Sequence, residues 1–388
     1  MTRKLATLRI IKELVEIPGA DRIELAIIDG WQVVVQKGHK VGDLVVYFEI
    51  DSFLPESDPR YASFSERFNN WGDKRGMRVK TIKLRQRLSQ GVIMPLHEFP
   101  EVKSSDYTEG TDVTELLGIE KWEPIEKADT TGTRVPGSSR EKRFPAFIRK
   151  TDQERIQNYG HMVQRASKTD ETFEVTMKKD GSSLTVFRVD PSSFYYKDAR
   201  EMTEKKLSFS KRVLRTIKEF FKPSEDPVFG ICSRNLLLPL KSESNFHTAV
   251  YENDLLLKLD NIGGSYALQG EVVAPNIQDN HERVNKVEFH LFDIYDIDRQ
   301  VYVSPSIRRG ICDEYGIPHV TVLAKNVGLD EVLKPHLHND DIVKAALAYA
   351  EGPGDNPGVI REGVVFKSET RDFSFKAVSN AYLLKTGK

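Results

Sequence analysis

The stretch FEVTMKKDGSSLTVF, residues 173–187, constrains the fold most. Phe173, Val175 and Met177 alternate with Glu174 and Thr176, and a period of two predicts a strand with one buried face. Asp180-Gly181 is a turn pair, and Leu184, Val186 and Phe187 open a second apolar stretch, so the unit predicts a β-hairpin. Lys178 falls where the first strand ends, two residues before a carboxylate. A lysine desolvated on such a rigid element has its pKa lowered, which frees a neutral amine for attack. Lys-Lys-Asp-Gly also reads as a plain charged turn, and this stretch alone does not choose between the two.

A chain of 388 residues is long for one hydrophobic core, so two or three domains are expected. Hydrophobic residues make up 39% and charged residues 30%, the balance of a globular chain rather than a disordered one. No apolar run approaches the ~20 residues of a membrane span. MTRKLATLRIIKELVE lacks the apolar core and cleavage site of a signal peptide. Cys232 and Cys312 are the only cysteines, so no disulfide framework or disulfide-linked partner is expected. That usage fits a reducing compartment, the cytoplasm or, in a eukaryote, the nucleus. Net charge is −1, so any affinity for nucleic acid must come from local patches.

The first domain, residues 1–119, predicts short strands with turns at Pro18-Gly19, Asp29-Gly30, Lys37-Gly38 and Gly42-Asp43, the pattern of a small closed β-barrel. From Asp73 to Pro95 the basic residues Lys74, Arg75, Arg78, Lys80, Lys83, Arg85 and Arg87 interleave with Val79, Ile82 and Leu84. This is either a strand presenting cations to a phosphate backbone or a solvated edge strand using charge against aggregation.

Residues 120–143 have the Gly, Pro, Ser and Thr content of a linker. The second domain, 144–388, carries the Lys178 unit. Val213, Leu214, Ile217, Phe220 and Phe221 recur at helical spacing, with Ser208 or Ser210 as cap. A helix is expected within 246–259, strands over 267–273 and 287–295, and helices over 305–315 and 340–350. The stretch 362–367 and an alternating 372–378 close the domain. No P-loop, dinucleotide-binding glycine pattern or His/Cys metal site is present.

Lys178-x-Asp180-Gly181, Ser233-Arg234-Asn235, Gly270-Glu271, Phe289-His-Leu-Phe292-Asp293, Glu362-Gly-Val-Val-Phe-Lys367 and Phe375-Lys376 follow one another in that order. The ordered set resembles the covalent nucleotidyltransferases: ATP-dependent DNA ligases, RNA ligases and mRNA capping enzymes. The resemblance covers about residues 144–385. The runs Phe144–Asn158 and Leu268–Gln278, and a barrel placed ahead of the catalytic domain, are similar to the Naegleria and Deinococcus type of RNA ligase, family 5.

The resemblance implies an α+β protein. An N-terminal OB-fold barrel would precede an ATP-grasp-like ligase domain of antiparallel sheets with flanking helices. It implies an ATP-dependent RNA ligase, monomeric, using Mg²⁺ or Mn²⁺ and joining RNA with 3′-OH and 5′-phosphate ends, with nick sealing suggested. Lys178 would form the covalent lysine–AMP. Asp180, Glu271 and Glu362 would hold the metal, directly or through its waters. Lys367, Lys376 and Arg234 would meet phosphate, with Asn235 nearby, and Phe292 would stack on adenine. Backbone groups of Thr176 and Met177 would meet the adenine edge. Lys80, Lys83 and Arg85 would touch RNA. Ser374-Phe375-Lys376 supplies only the second lysine of the superfamily's Lys-x-Lys, and Arg200 competes with Arg234. The other readings are a DNA ligase or capping-type enzyme, and a non-catalytic OB-fold RNA-binding protein.

Overall fold

The computed structural model describes residues 3–103, 107–123, 143–203 and 226–387. The apolar run from Val213 to Phe221, its caps Ser208 and Ser210, and most of the expected linker lie outside the described residues.

The N-terminal region contains β1 (Ala6–Ile10), β2 (Glu13–Glu16), β3 (Ile23–Ile28), β4 (Trp31–Gln36), β5 (Leu44–Phe48) and β6 (Ser52–Pro55). It continues with β7 (Asn69–Trp71), β8 (Lys74–Arg78), β9 (Thr81–Leu84), β10 (Arg87–Gln90), β11 (Val92–Pro95) and β12 (Glu120–Lys121). Pairing runs through four short sheets, β1-β5-β11, β2-β3-β4, β12-β6-β8-β7 and the β9–β10 hairpin. β5 is buried on both faces. Val46 and Phe48 enter one apolar cluster with Leu54, Tyr61 and Met77, while Val45 and Tyr47 enter another with Trp31, Val33 and Val35. Alternation along β5 thus divides the region into two cores.

The second region is built from two sheets. Its strands are β13 (Glu154–Arg155), β14 (Thr172–Lys178), β15 (Ser182–Val189), β16 (Val228–Cys232), β17 (Leu237–Leu238) and β18 (Tyr266–Val273). The rest are β19 (Glu288–Asp296), β20 (Val301–Tyr302), β21 (Val322–Gly328), β22 (Gly363–Ser368) and β23 (Ser374–Val378). One sheet has the order β13-β23-β22-β14-β21 and the other β17-β16-β15-β18-β19-β20. Among the helices are α1 (Ile156–Ala166), α2 (Tyr196–Thr203), α3 (Asn245–Glu252) and α4 (Leu255–Ile262). They are followed by α5 (Pro305–Tyr315), α6 (Leu329–Leu333), α7 (Ile342–Ala350) and α8 (Asn380–Thr386). α5 starts at the proline and stops at Gly316 (φ 61) as expected. The helix expected within 246–259 is two helices, because Asp254 takes a left-handed conformation (φ 50) between them.

The predicted hairpin is the main correction. β14 pairs with β21 and β22, whereas β15 pairs with β16 and β18 in the other sheet. Asp180-Gly181 carries the chain from one sheet to the other. A Cβ on Gly181 would stand 2.3 Å from the Val272 carbonyl oxygen, so only glycine fits this crossing. Lys179 is buried and pinned by Glu282 (3.0 Å) and Asp355 (2.6 Å), and the Asp180 N–H donates to Glu282 (3.1 Å). These ties hold the crossing open where a turn would have folded it back.

Helices α1 and α7 cover the outer face of the five-stranded sheet over Phe173, Val175, Val364, Phe366, Phe375 and Ala377. Strand alternation puts Glu174, Thr176 and Lys178, Val365 and Lys367, and Lys376 on the inner face. The outer face of the six-stranded sheet packs on α3 and α4 through Leu184, Val186, Leu268 and Leu291. The inner faces meet in a cleft.

The two regions are docked. Leu88 of β10 packs on Val378, Tyr382 and Leu383. Tyr382 is in turn held within the second region by an edge-on contact with His281, ring centroids 4.8 Å apart. Asn158 of α1 donates to Glu49 (2.7 Å) and accepts from Arg9 (3.2 Å). A Cβ on Gly30 would strike Val343 of α7 at 2.5 Å.

Candidate active site

Lys178 ends β14 in register with Gly363, and its Nζ donates to Glu362 Oε2 at 2.6 Å. The side chain is 26% exposed, so it remains reachable from the cleft. Its pKa is not lowered as the sequence suggested. Burial pulls it down, but the charges of Glu362, Glu271 and Asp180 outweigh burial and raise it. Glu271 faces the same point from β18. Burial, reinforced by Glu362 and Asp180 against the pull of Lys178, pushes its carboxyl up to about 8. Asp180 is buried beside the sheet crossing.

Among the described residues no group of three or more His, Cys, Asp or Glu side chains is arranged to ligate a metal directly. Asp180, Glu271 and Glu362 converge on Lys178 without forming a ligand trio. The donor set still suits a hydrated divalent ion, since the mutual repulsion felt at Glu271 is what such an ion would relieve.

A second corner is cationic. Lys376 of β23 is in register with Arg155 of β13 and Val365 of β22. Its nearest carboxylate is Asp152 at 3.5 Å. Burial lowers its pKa to about 8; Asp152 opposes, and Lys178, Arg155 and Arg3 add to the fall. Asp152 is exposed at its outer side, and although the protein around it disfavours charge, Lys376, Lys121, Arg234 and Arg3 hold its carboxyl below the usual range. Arg155 stacks over Trp31 at 5.5 Å, and its buried Nη1 has no hydrogen-bond partner among the described residues. Arg234 is 56% exposed and lies 3.6 Å from Asp152. Asn235 accepts from Lys150 (2.8 Å). Arg200 lies on α2, which packs against β16, the strand that leads into Arg234.

The third corner holds Phe292 on β19. Lys367 donates to the Phe292 carbonyl (2.7 Å), pairs with Asp293 (2.5 Å) and sits 5.6 Å from the Phe292 ring. Burial lowers the Lys367 pKa against the pull of Asp293. Lys367, which the sequence assigned to phosphate, thus gives two of its three N–H donors to protein partners. The Met177 N–H is likewise used, donating to the Thr321 carbonyl (2.8 Å). Thr176 is buried between Val322 and Val365 in the sheet. Neither backbone lies at an open edge, because β14 is an interior strand with partners on both sides.

The seven basic residues of the N-terminal stretch divide into two sets. Lys74 pairs with Glu120 (2.5 Å), Arg75 with Glu56, and Arg78 with Asp51 (2.6 Å). Lys80, Lys83, Arg85 and Arg87 are exposed, and none pairs with a carboxylate among the described residues. Arg85 and Gln86 form the two-residue turn of the β9–β10 hairpin with φ of 47 and 65, the twist such a turn requires.

Sequence reasoning missed Arg155, Glu174, Arg308 and Arg309. Arg155 stood inside the Phe144–Asn158 run without a role. The other three carry no spacing signal, because their contacts join β14 to α5 across more than 130 residues.

A family model described as RNA ligase matches residues 171–378, and one described as an OB-fold domain matches residues 5–96. No curated protein matches the chain. Among solved structures, a mutant of Naegleria gruberi RNA ligase with ATP and Mn is 36% identical, with a TM-score of 0.72 and 100% of each chain covered. A mutant with AMP and Mn gives 36% identity and a TM-score of 0.74 over 99% of each chain. The ligase with pyrophosphate gives 36% and 0.71 over 99% of each chain.

Proposed function

This chain belongs to the RNA ligase family, and from that premise we propose that it seals RNA breaks with 3′-OH and 5′-phosphate ends at the expense of ATP. The observation that carries the reading is Lys178. It is a reachable lysine at the end of an interior strand, ringed by Glu362, Glu271 and Asp180. Structures of one relative solved with ATP and Mn, with AMP and Mn, and with pyrophosphate support ATP as cosubstrate and Mn²⁺ as a working metal. Mg²⁺ is the second ion we assign, on the chemistry of an all-carboxylate site.

Lys178 Nζ attacks the α-phosphorus of ATP; the P–N bond forms as the bond to the β-phosphate oxygen breaks, and pyrophosphate leaves. An oxygen of the RNA 5′-phosphate then takes AMP from the lysine. The 3′-hydroxyl oxygen finally attacks that phosphorus and AMP departs. The first step needs Nζ without its extra proton, and the nearest acceptor is Glu362 Oε2 at 2.6 Å. A divalent ion held through waters by Asp180, Glu271 and Glu362 would offset their charge and so favour the neutral amine. Arg155, with its unused buried Nη1, and Lys376 offer charge to the phosphates. Phe292 offers a face to the base. Lys80, Lys83 and Arg85 meet the RNA backbone. We take the protein to act as a monomer in the cytoplasm, or the nucleus of a eukaryote; both cysteines are buried as free thiols.

The test is covalent labelling. ATP radiolabelled at the α-phosphate, with Mn²⁺ or Mg²⁺, is expected to leave label on the wild-type chain through a denaturing gel. Lys178→Ala is expected to leave none. Equal labelling of the variant, or no label and no bound AMP by intact mass in the wild type, sinks the reading.

A further inference from the structure

Glu174 is fully buried on the inner face of β14, in register with Lys367 of β22. Arg308 of α5 is 1% exposed; its Nη2 donates to Glu174 (2.6 Å) and its Nη1 to the Phe292 carbonyl (2.7 Å). Lys367 donates to that same carbonyl (2.7 Å). Arg309 also pairs with Glu174 and reaches Glu369 (3.4 Å), while Glu369 accepts from the Ser306 N–H (3.0 Å).

We propose that Arg308, seated on Glu174, is a positioning residue for the nucleotide base: it fixes the Phe292 ring by gripping that residue's backbone carbonyl. The proposal rests on the reading that ATP binds in this cleft with its base on Phe292.

Two cations on one carbonyl oxygen use both of its lone pairs and leave the peptide little freedom to rotate. The grip therefore sets the height and tilt of the ring above the cleft floor. Its other end is on β14, four residues before Lys178, so base platform and nucleophile share one rigid strand. Stability alone explains the cluster poorly. A buried ion pair roughly breaks even against apolar packing, and Arg308 Nε is buried with no hydrogen-bond partner among the described residues. A group kept at that cost has a geometric task.

The experiment follows the rate of Lys178 adenylation against ATP concentration for wild type, Arg308→Lys, Phe292→Leu and the double variant, with melting curves for each. Arg308→Lys is expected to raise the half-saturating ATP about tenfold and to hold the maximal rate within about threefold, the signature of lost uniform binding. Since it acts through the ring, it adds less than about twofold in the Phe292→Leu background. Pyrophosphate has no base, so its half-saturating concentration for reversing adenylation stays within about twofold. Multiplying effects in the double variant, a fall confined to the maximal rate, or an equal shift for pyrophosphate overturns the proposal. If Arg308→Lys does not fold, Glu174→Leu with Arg308→Met removes both charges together and carries the same expectations. Lys178→Ala, run first, tests the ATP reading by itself; the titrations then judge Arg308.

Discussion

The corner around Lys178 and the corner around Lys376 lie on one face of one sheet, yet they push a lysine in opposite directions. Both lysines feel burial that lowers their pKa. At Lys178 the carboxylates Glu362, Glu271 and Asp180 reverse the effect. At Lys376 the pull of Asp152 is outvoted by burial and by Lys178, Arg155 and Arg3. Burial therefore does not by itself decide the state of these two lysines; the sign of the surrounding charge does. The first corner is short of a cation and the second short of an anion, which is the pairing that a metal-bound nucleoside triphosphate supplies.

Beyond loss of the covalent adduct in Lys178→Ala, the largest expected effect is at the anion-deficient corner. Arg155→Ala should slow adenylation about 100-fold, with Arg155→Lys recovering part of it, as single-turnover labelling would measure. A rate within about threefold of wild type would mean that this corner is structural only.

A third cationic region, on the β9–β10 hairpin, should behave differently because it is open to solvent. Replacing Lys80, Lys83 and Arg85 together by Ala should weaken RNA binding about tenfold or more and flatten its salt dependence by roughly 2 in log–log slope, while adenylation persists. The matching change at Lys74, Arg75 and Arg78, already paired with carboxylates, should alter the slope less. Equal slopes for the two triples would erase the distinction drawn between them.

Lys376 sharpens the comparison through pH. With a pKa of about 8, it loses its charge as pH rises through that value, while the same rise favours the neutral form of Lys178. Adenylation should fall on the alkaline side, and Lys376→Arg, which keeps its charge, should carry the rate about threefold above wild type near pH 9. An unchanged alkaline limb would detach Lys376 from the rate.

The smallest effect is on stability. Glu271 has its folded pKa raised to about 8 from 4.5. A carboxyl raised in this way contributes stability below its ordinary pKa and loses it as pH rises through the folded value. Without metal, Glu271→Gln should melt a few degrees above wild type near pH 9, with the gap closing below pH ~5. A constant gap across that range would show that Glu271 is not the titrating group.

The sequence made strand identity and face readable because both follow from alternation. Glu174, Thr176 and Lys178 fall opposite Phe173 and Val175 as that period demands. Asp180-Gly181 was misread because a turn pair specifies a change of direction, not the sheet in which the chain continues; Lys179, Glu282 and Asp355 decide that. Lys367 was assigned to phosphate by motif position, but its partner Asp293 lies on the other sheet. The order of motifs singled out Asp180, Glu271 and Glu362, which the fold gathers round Lys178, whereas the ties of Glu174, Arg308 and Arg309 were not legible, because they join residues far apart in the chain.

Leu88 seated on Tyr382 and Leu383 carries a consequence for modularity. The N-terminal module ends, on this side, in the same apolar cluster as the last helix of the catalytic module. An exchange of OB modules between relatives must therefore bring a matching side chain for that seat. A graft chosen for its RNA-facing charges alone would leave the C-terminal helix exposed, and the loss would register in the catalytic half of the chimera.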